Sequence, residues 1–524
     1  MTKELKLISP GEIRVRFAPS PTGPLHIGSV RTAFFNYLFA QKEQGTFVLR
    51  IEDTDEERSK PEWEKDIIEG LNWLGFQFQE GPGKGGNFGP YRQSERKEIY
   101  KKYIEKLLKE KKIYYCFCSL EELEAHKNYL IGIGQPLRYS EKCVNLSEQE
   151  IAKNLEQGKP CVLRFKTPLK KVIFKDLLRG EIEQDSENFG DMIVARDLTT
   201  PLYNLALVID DFEMKITHAI RGEDHIPNTP KQILLAEALG IEPPKYIHLP
   251  LILGPDKTKL SKRHGAKSVL EYKKDGYLVP AIINFLVFLG WSPKTNKEIF
   301  SLPSLIQEFS LEGMQKSAAV FNFQKLDWIN GFYIRQKSKE KLTELCFPYL
   351  IEANLIETHF ETEQCPFACN IELLAQKFRA KETKEEFSFE RLVNIVELYH
   401  ERLKKLSEIS ELVDFFFKKK LIYSKELLIW KNAEEKEIKQ TLDKLKKTLG
   451  KIKKENWERK NLEQVLLKLA GEIGERDRGK LLWPLRVALT GKKASAGPFE
   501  IAEILGKEKT LERIEQAKEI LSTD

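Results

Sequence analysis

The chain has 524 residues, 41% of them hydrophobic and 31% charged, which excludes a disordered or membrane-embedded class. That length exceeds one simple core and calls for roughly two to four domains. Lys plus Arg is 85 against 79 for Asp plus Glu, and the resulting +6 is compatible with nucleic acid without arguing for it.

Met1 to Gly11 has no apolar run of the kind that opens a secretory signal. Seven cysteines, an odd number, point to a reducing compartment, and the cytoplasm is the expectation. Glu12 to Phe17 reads as a strand, with Ile13, Val15 and Phe17 on one face. A Pro- and Gly-rich turn, "PSPTGPLHIGS", follows it. Val30 to Glu43 is then apolar at helical spacing, Thr46 to Asp53 is a second strand, and Glu62 to Phe76 is an amphipathic helix. Strand, helix, strand, helix predicts a parallel α/β sheet. Glu80 to Ser94 is loop-rich and Glu95 to Glu110 helical, and short strands and helices mix from Tyr114 to Arg179. The α/β pattern returns with strands over Pro201–Asp211 and Lys215–His225 and a helix over Thr229–Gly240. Leu278 to Trp291 is the longest apolar run; Pro280 and Asn284 interrupt it, and it falls short of the ~20 residues of a membrane span. From about Asn330 strand signals fade into a Leu-, Lys- and Glu-rich helical pattern. Its basic runs, Glu401–Leu406, Phe415–Lys420 and Asp443–Lys454, read singly as solvated helix faces and together as a candidate RNA surface.

In parallel sheets ligands bind at the carboxyl ends of the strands. That rule singles out Arg16–Ser29, Glu52–Asp55 and Arg221–His225. The turn before the first helix offers unpaired N–H groups and positive dipole to an anion. His26 can donate to phosphate oxygens, and Gly28 lets a ligand approach the backbone. A second basic element, "KLSKRHG", runs from Lys259 to Gly265. Its mobile ammonium groups suit the negative charge that builds on a pentacovalent phosphorus. No GxxxxGK[ST] pattern is present, since "GPGKGG" does not satisfy it, so the phosphate chemistry is not that of P-loop enzymes.

The pair "LHIGS" and "KLSKR", about two hundred residues apart, resembles the class I aminoacyl-tRNA synthetases. "RFAPSPTGPLHIGSVRTAFFNYLFA", "LRIEDTD", "GPYRQSERKEIY", "IRGEDHIPNTPKQILL", "KLSKRHGA", "FNFQKLDWINGFYI" and "PLRVALTG" narrow the resemblance to bacterial glutamyl-tRNA synthetases, from about residue 13 to the C-terminus. The resemblance implies a Rossmann-type α/β catalytic domain carrying an inserted α+β acceptor-binding domain. A mainly α-helical stem-contact and anticodon-binding region follows. The implied divisions are 1–90 and 191–255 for the catalytic halves and 91–190 for the insertion. Residues 256–330 would be the stem-contact part and 331–524 the anticodon part.

The resemblance also implies an ATP-dependent ligase that uses Mg2+, L-glutamate and tRNA(Glu), and that works as a monomer. Its glutamate site falls on Arg16, Ala18, Ser20, Glu52, Tyr203 and Arg221. A substrate with two carboxylates and an ammonium needs cations such as Arg16 and Arg221 and an anion such as Glu52. ATP would meet His26, Gly28, Asp224, Lys259, Ser261 and Lys262, with His26 and Lys262 as the catalytic pair. Arg402 falls where the family faces the anticodon. Some members hold structural zinc at a spacing that here gives Cys116, Cys118, Cys143 and Asn145. Asn145 is a poor ligand, and neither His126 nor Glu141 occupies its position. Three thiols without a fourth donor point to a relic or a metal-free subdomain. Cys365 and Cys369 read as unpaired thiols.

Three rivals fit less well. Glutaminyl-tRNA synthetases usually carry "PEPNG" where this chain has "PSPTG", and a β-barrel anticodon part. The paralogue that glutamylates a tRNA base lacks so long a C-terminal region. A non-catalytic RNA-binding relative has no need of His26, Gly28, Lys259 and Lys262.

Overall fold

A computed structural model describes residues 12–135, 137–264, 267–357, 378–474 and 477–522, with the side chain of Lys262 excepted. Cys365 and Cys369 lie outside the described residues. The chain divides into two compact units, 1–273 with 279–326, and 274–278 with 327–524.

In the first unit the expected alternation of strand and helix is present. Strand β1 (Arg14–Phe17) leads through the Pro-Gly turn into α1 (Ile27–Lys42). Strand β2 (Thr46–Leu49) follows, then α2 (Pro61–Leu74), which starts on a proline and stops at Gly75 in the left-handed region. Next come α3 (Lys97–Lys109), β3 (Ile113–Cys116), α4 (Leu120–Gly132) and α5 (Glu148–Glu156). Strands β4 (Val162–Phe165), β5 (Lys171–Asp176), β6 (Gly180–Asp185) and β7 (Ile193–Ala195) complete the middle section. The return to the α/β pattern is α6 (Tyr203–Glu213), β8 (His218–Gly222), α7 (Thr229–Leu239) and β9 (Lys245–Leu249).

The main sheet has the order β2-β1-β8-β9-β5-β6, parallel except for the β5–β6 hairpin. The hairpin therefore extends the sheet from within the middle section. Strands β3, β4 and β7 form a separate antiparallel sheet. One apolar core joins α3, β3, β4, α6 and α7, through residues such as Tyr100, Ile104, Leu163, Leu205, Ile209 and Leu234.

One expected element is of the other type. The pattern over Pro201–Asp211 predicts a strand, but Tyr203–Glu213 is a helix. Leu205 to Ile209 is buried all round between the sheet and α7, so no polar face betrays the helical period. Leu and Ala favour helix once length permits it.

The second unit is mainly helical, with long helices at Lys339–Glu352, Glu435–Gly450, Arg459–Gly474, Gly479–Thr490 and Pro498–Ser522. Two of its basic runs are not helix faces. Glu401–Leu406 is a string of turns, and Lys418–Lys420 lies beyond a short 3₁₀ segment. The buried Leu403 and Leu406 fix the first of these as packed, irregular chain. Among the described residues no helix is long and apolar enough to cross a membrane.

Candidate active site

The ends of β1 and β8 and the starts of α1 and α6 open onto a cavity of about 1000 Å³. Arg16, Ala18, Ser20, His26, Gly28, Glu52, Tyr203, Arg221, Asp224, Lys259 and Ser261 all line it. These are the residues expected at the glutamate and ATP sites, apart from Lys262. Lys262 begins a 3₁₀ turn that ends at His264, and its side chain lies outside the described atoms.

His26 sits at the N-cap of α1, where its Nδ1 accepts the Ser29 N–H at 3.3 Å. A ring that accepts at Nδ1 carries its proton on Nε2 when neutral, and that nitrogen lies 3.0 Å from the Ser29 hydroxyl oxygen, so both ring nitrogens face Ser29. Withdrawal from water, helped by the Lys259 ammonium, holds this imidazole below its ordinary range. Gly28 has a further role: a Cβ there would meet the His26 ring at 3.2 Å, so the glycine makes room for the cap. On the opposite wall Lys259 Nζ donates to Asp224 at 3.1 Å. Ser261 is held by His264 Nδ1, which accepts its N–H at 3.1 Å.

Arg221 is buried, 5% exposed, and among the described residues no carboxylate pairs with it. It donates from Nη2 to Thr229 Oγ1 at 2.7 Å and to Gln232 Oε1 at 2.8 Å, and from Nε to His248 Nε2 at 3.2 Å. Its Nη1 is buried without a partner. Glu223 and Asp224, the acidic neighbours in sequence, pair instead with Arg179 and Lys259. Burial without a contacting anion pulls the Arg221 guanidinium below its usual range. Tyr203 starts α6, and its hydroxyl lies 3.0 Å from His225 Nδ1.

Behind these residues runs a network that sequence reasoning missed. Arg16 donates from Nε to Asp211 Oδ1 at 3.0 Å. The same oxygen accepts from Arg50 Nη1 at 2.7 Å, while Arg50 Nη2 donates to Glu52 Oε1 at 2.9 Å. Burial pushes the Glu52 carboxyl up, and Arg50 pulls against it. The next aspartate, Asp210, accepts from Arg96, Gln93 and Tyr100 at 2.7, 2.8 and 3.0 Å. Charges at the ends of apolar runs, as in "VIDD" and "LRIED", were the available signal. A buried aspartate pair is hard to credit until a helix places arginines around it.

The three cysteines converge. The Sγ atoms of Cys116, Cys118 and Cys143 lie within 4.8 Å of one another. The Tyr139 hydroxyl lies 3.3 Å from Cys116 Sγ and 3.2 Å from Cys118 Sγ, with the Arg164 guanidinium 3.9 Å from its ring centre. Three thiol sulfurs supply three of the four donors of a tetrahedral zinc site, and the phenol oxygen stands beside them.

Arg402 lies in a turn of the second unit rather than on a helix. It donates to the Ser495 carbonyl at 2.5 Å and lines a cavity of about 810 Å³ with Arg391, Asn394 and Arg459.

Residues 12–328 match the family model for the catalytic domain of class I tRNA synthetases (E and Q), and residues 342–518 match an anticodon binding domain. Glutamate–tRNA ligase 1 of Caldicellulosiruptor saccharolyticus is 43% identical over 96% of this chain and 98% of its own. Glutamate–tRNA ligase of Carboxydothermus hydrogenoformans is 42% identical over 96% and 99%. A crystal structure of a glutamate tRNA ligase from Elizabethkingia meningosepticum, in complex with its amino acid, superposes with a TM-score of 0.80 at 34% identity, covering 97% of this chain and all of that one. With both units matched and relatives alike over nearly the full length, this chain belongs to the glutamate–tRNA ligase family of class I tRNA synthetases.

Proposed function

We propose that this protein activates L-glutamate with ATP and transfers it to the 3′ end of tRNA(Glu). The observation that carries the reading is Arg221, a buried cation with a free Nη1 and no carboxylate of its own, facing the cavity. A dicarboxylate substrate supplies the missing anion. Arg16 engages Asp211 through Nε alone, which leaves its terminal nitrogens for the second carboxylate. Glu52 receives the substrate ammonium, and Ala18, Ser20 and Tyr203 complete the walls.

In the first step the glutamate α-carboxylate attacks the α-phosphorus of ATP, and pyrophosphate leaves. His26, Gly28, Asp224, Lys259 and Ser261 hold the nucleotide, and Lys262 meets the charge that develops on the phosphates. Magnesium carried on the nucleotide offsets phosphate charge. In the second step a terminal ribose hydroxyl of the tRNA attacks the acyl carbon, and AMP leaves. Catalysis is positioning and charge stabilisation rather than covalent attack by the protein. The reading assigns 91–190 to the acceptor end, 256–330 to the stem and 331–524, with Arg402, to the anticodon. It describes a cytoplasmic, monomeric enzyme.

ATP–pyrophosphate exchange with glutamate, run with and without tRNA, tests the proposal. Exchange under at least one condition is the expected result, and none under both overturns it. Charging of purified tRNA(Glu) and tRNA(Gln) then decides whether the second is also a substrate.

The thiol cluster favours a structural zinc in addition, held by Cys116, Cys118, Cys143 and the Tyr139 oxygen. Elemental analysis of the purified protein is expected to find zinc in equal amount to the chain, and less after Tyr139→Phe. A metal-free protein would make Tyr139 a hydrogen-bonding plug among the sulfurs.

A further inference from the structure

Arg221 keeps its unpaired state because of what lies behind it. Its Nε–H donates to His248 Nε2, so that nitrogen must accept. The His248 proton therefore sits on Nδ1, which donates to Asp176 Oδ2 at 2.7 Å. Asp176 is saturated. The same Oδ2 accepts the His248 N–H at 3.0 Å, and Oδ1 accepts the N–H groups of Leu178 and Arg179 at 2.9 and 2.7 Å. His248 and Asp176 have side chains with no exposed surface.

The arrangement holds an anion one imidazole away from Arg221. In direct contact, Asp176 would neutralise the guanidinium and compete with a substrate carboxylate. Through the ring it fixes which nitrogen of His248 bears hydrogen, and so aims a lone pair at Arg221. Asp176 ends β5, where the chain turns into β6. From that turn Arg179 donates to the His248 carbonyl at 3.2 Å and pairs with Glu223, two residues after Arg221.

We infer that Asp176 and His248 are positioning residues for substrate recognition, and that the β5–β6 turn sets glutamate affinity through them. The inference rests on Arg221 binding a glutamate carboxylate, as in the functional reading above.

Asp176→Asn tests it. The variant is nearly isosteric; with its amide oxygen kept on the Leu178 and Arg179 N–H groups, its amide N–H faces His248 Nδ1, which drives the imidazole proton to Nε2 and turns a donor toward Arg221. The glutamate KM in pyrophosphate exchange, measured with tRNA present, is expected to rise about tenfold or more, with the ATP KM within about twofold of wild type. Nitrogen NMR of labelled histidine is expected to report His248 as the Nδ1–H form in the wild type and not in the variant. His248→Gln keeps an acceptor near Arg221 and is expected to lose less glutamate affinity than His248→Phe, which supplies a readout if Asp176→Asn fails to fold. An unchanged glutamate KM in Asp176→Asn, a parallel rise in both KM values, or equal losses in the two His248 variants would overturn the positioning role. Absence of glutamate-dependent exchange in the wild type would instead overturn the functional reading on which it rests.

Discussion

Asp211 serves two arginines with one oxygen, and its other oxygen is buried without a partner. Both Arg16 and Arg50 lose that anion when it becomes an amide. Breaking a buried pair by removing one partner costs on the order of 3–5 kcal/mol, because a charge is left uncompensated. Asp211→Asn is expected to lower thermal stability by that order and to raise the glutamate KM through a misplaced Arg16. Calorimetry and exchange kinetics check the two effects separately. His218 gives a pH effect of defined sign. It is buried against Phe39, and burial, with Lys245 nearby, holds its imidazole down at about 4. A depressed pKa means the unfolded chain takes up the proton first. The contribution of His218 is thus complete above pH ~6.5 and is lost as pH falls toward 4, a change on the order of 3 kcal/mol. Acid unfolding of His218→Gln is expected to begin less steeply in that window.

At the scale of elements, the β1–α1 turn was readable because Pro, Gly and His are strong local signals that need no tertiary context. The residues flagged around it, from Arg16 to Ser261, line one cavity because each stands at a strand end, in the first turn of a helix or on a loop. Helix α6 was misread because burial on every side erases its period. Asp210 and Asp211 were passed over because their value depends on Arg50 and Arg96, far away in sequence. Tyr139 drew no attention because Cys, His and acidic residues were the donors counted, and only the fold brings its hydroxyl to 3.3 and 3.2 Å from the Cys116 and Cys118 sulfurs. One turn offers a sharp test. Gly276 has φ of 86°, and a Cβ there would lie 2.6 Å from the Leu406 nitrogen. Gly276→Ala combines backbone strain with that clash and is expected to cost about 2–3 kcal/mol. The unfolding transition of the second unit should shift downward accordingly. An unshifted transition would mean the turn can rebuild.

Across the whole molecule, the two units are interleaved in sequence. Residues 274–278 belong with 327–524, although 279–326 belongs with the first unit. Asn330 ties the excursion in, accepting the Leu278 N–H at 2.8 Å and donating to the Lys404 carbonyl at 2.6 Å. A fragment ending at Leu326 keeps 274–278 but loses every one of these partners. In such a fragment residues 274–278 are expected to be cut by protease faster than in the full chain. Equal cutting rates would show that Asn330 does not hold them in place.

The hairpin that joins the main sheet also limits how the protein can be cut down. Strand β9 pairs with β5 at Asp176, and β5 and β6 pair along their full length. Deleting the middle section whole would leave the β9 edge with raw amides beside a buried histidine, a template for sticking to other chains. A minimal adenylating core must therefore retain residues 171–185, spliced between shorter linkers. Seen as an engineering problem, the insertion is two pieces, one that can be trimmed and one that the sheet has annexed.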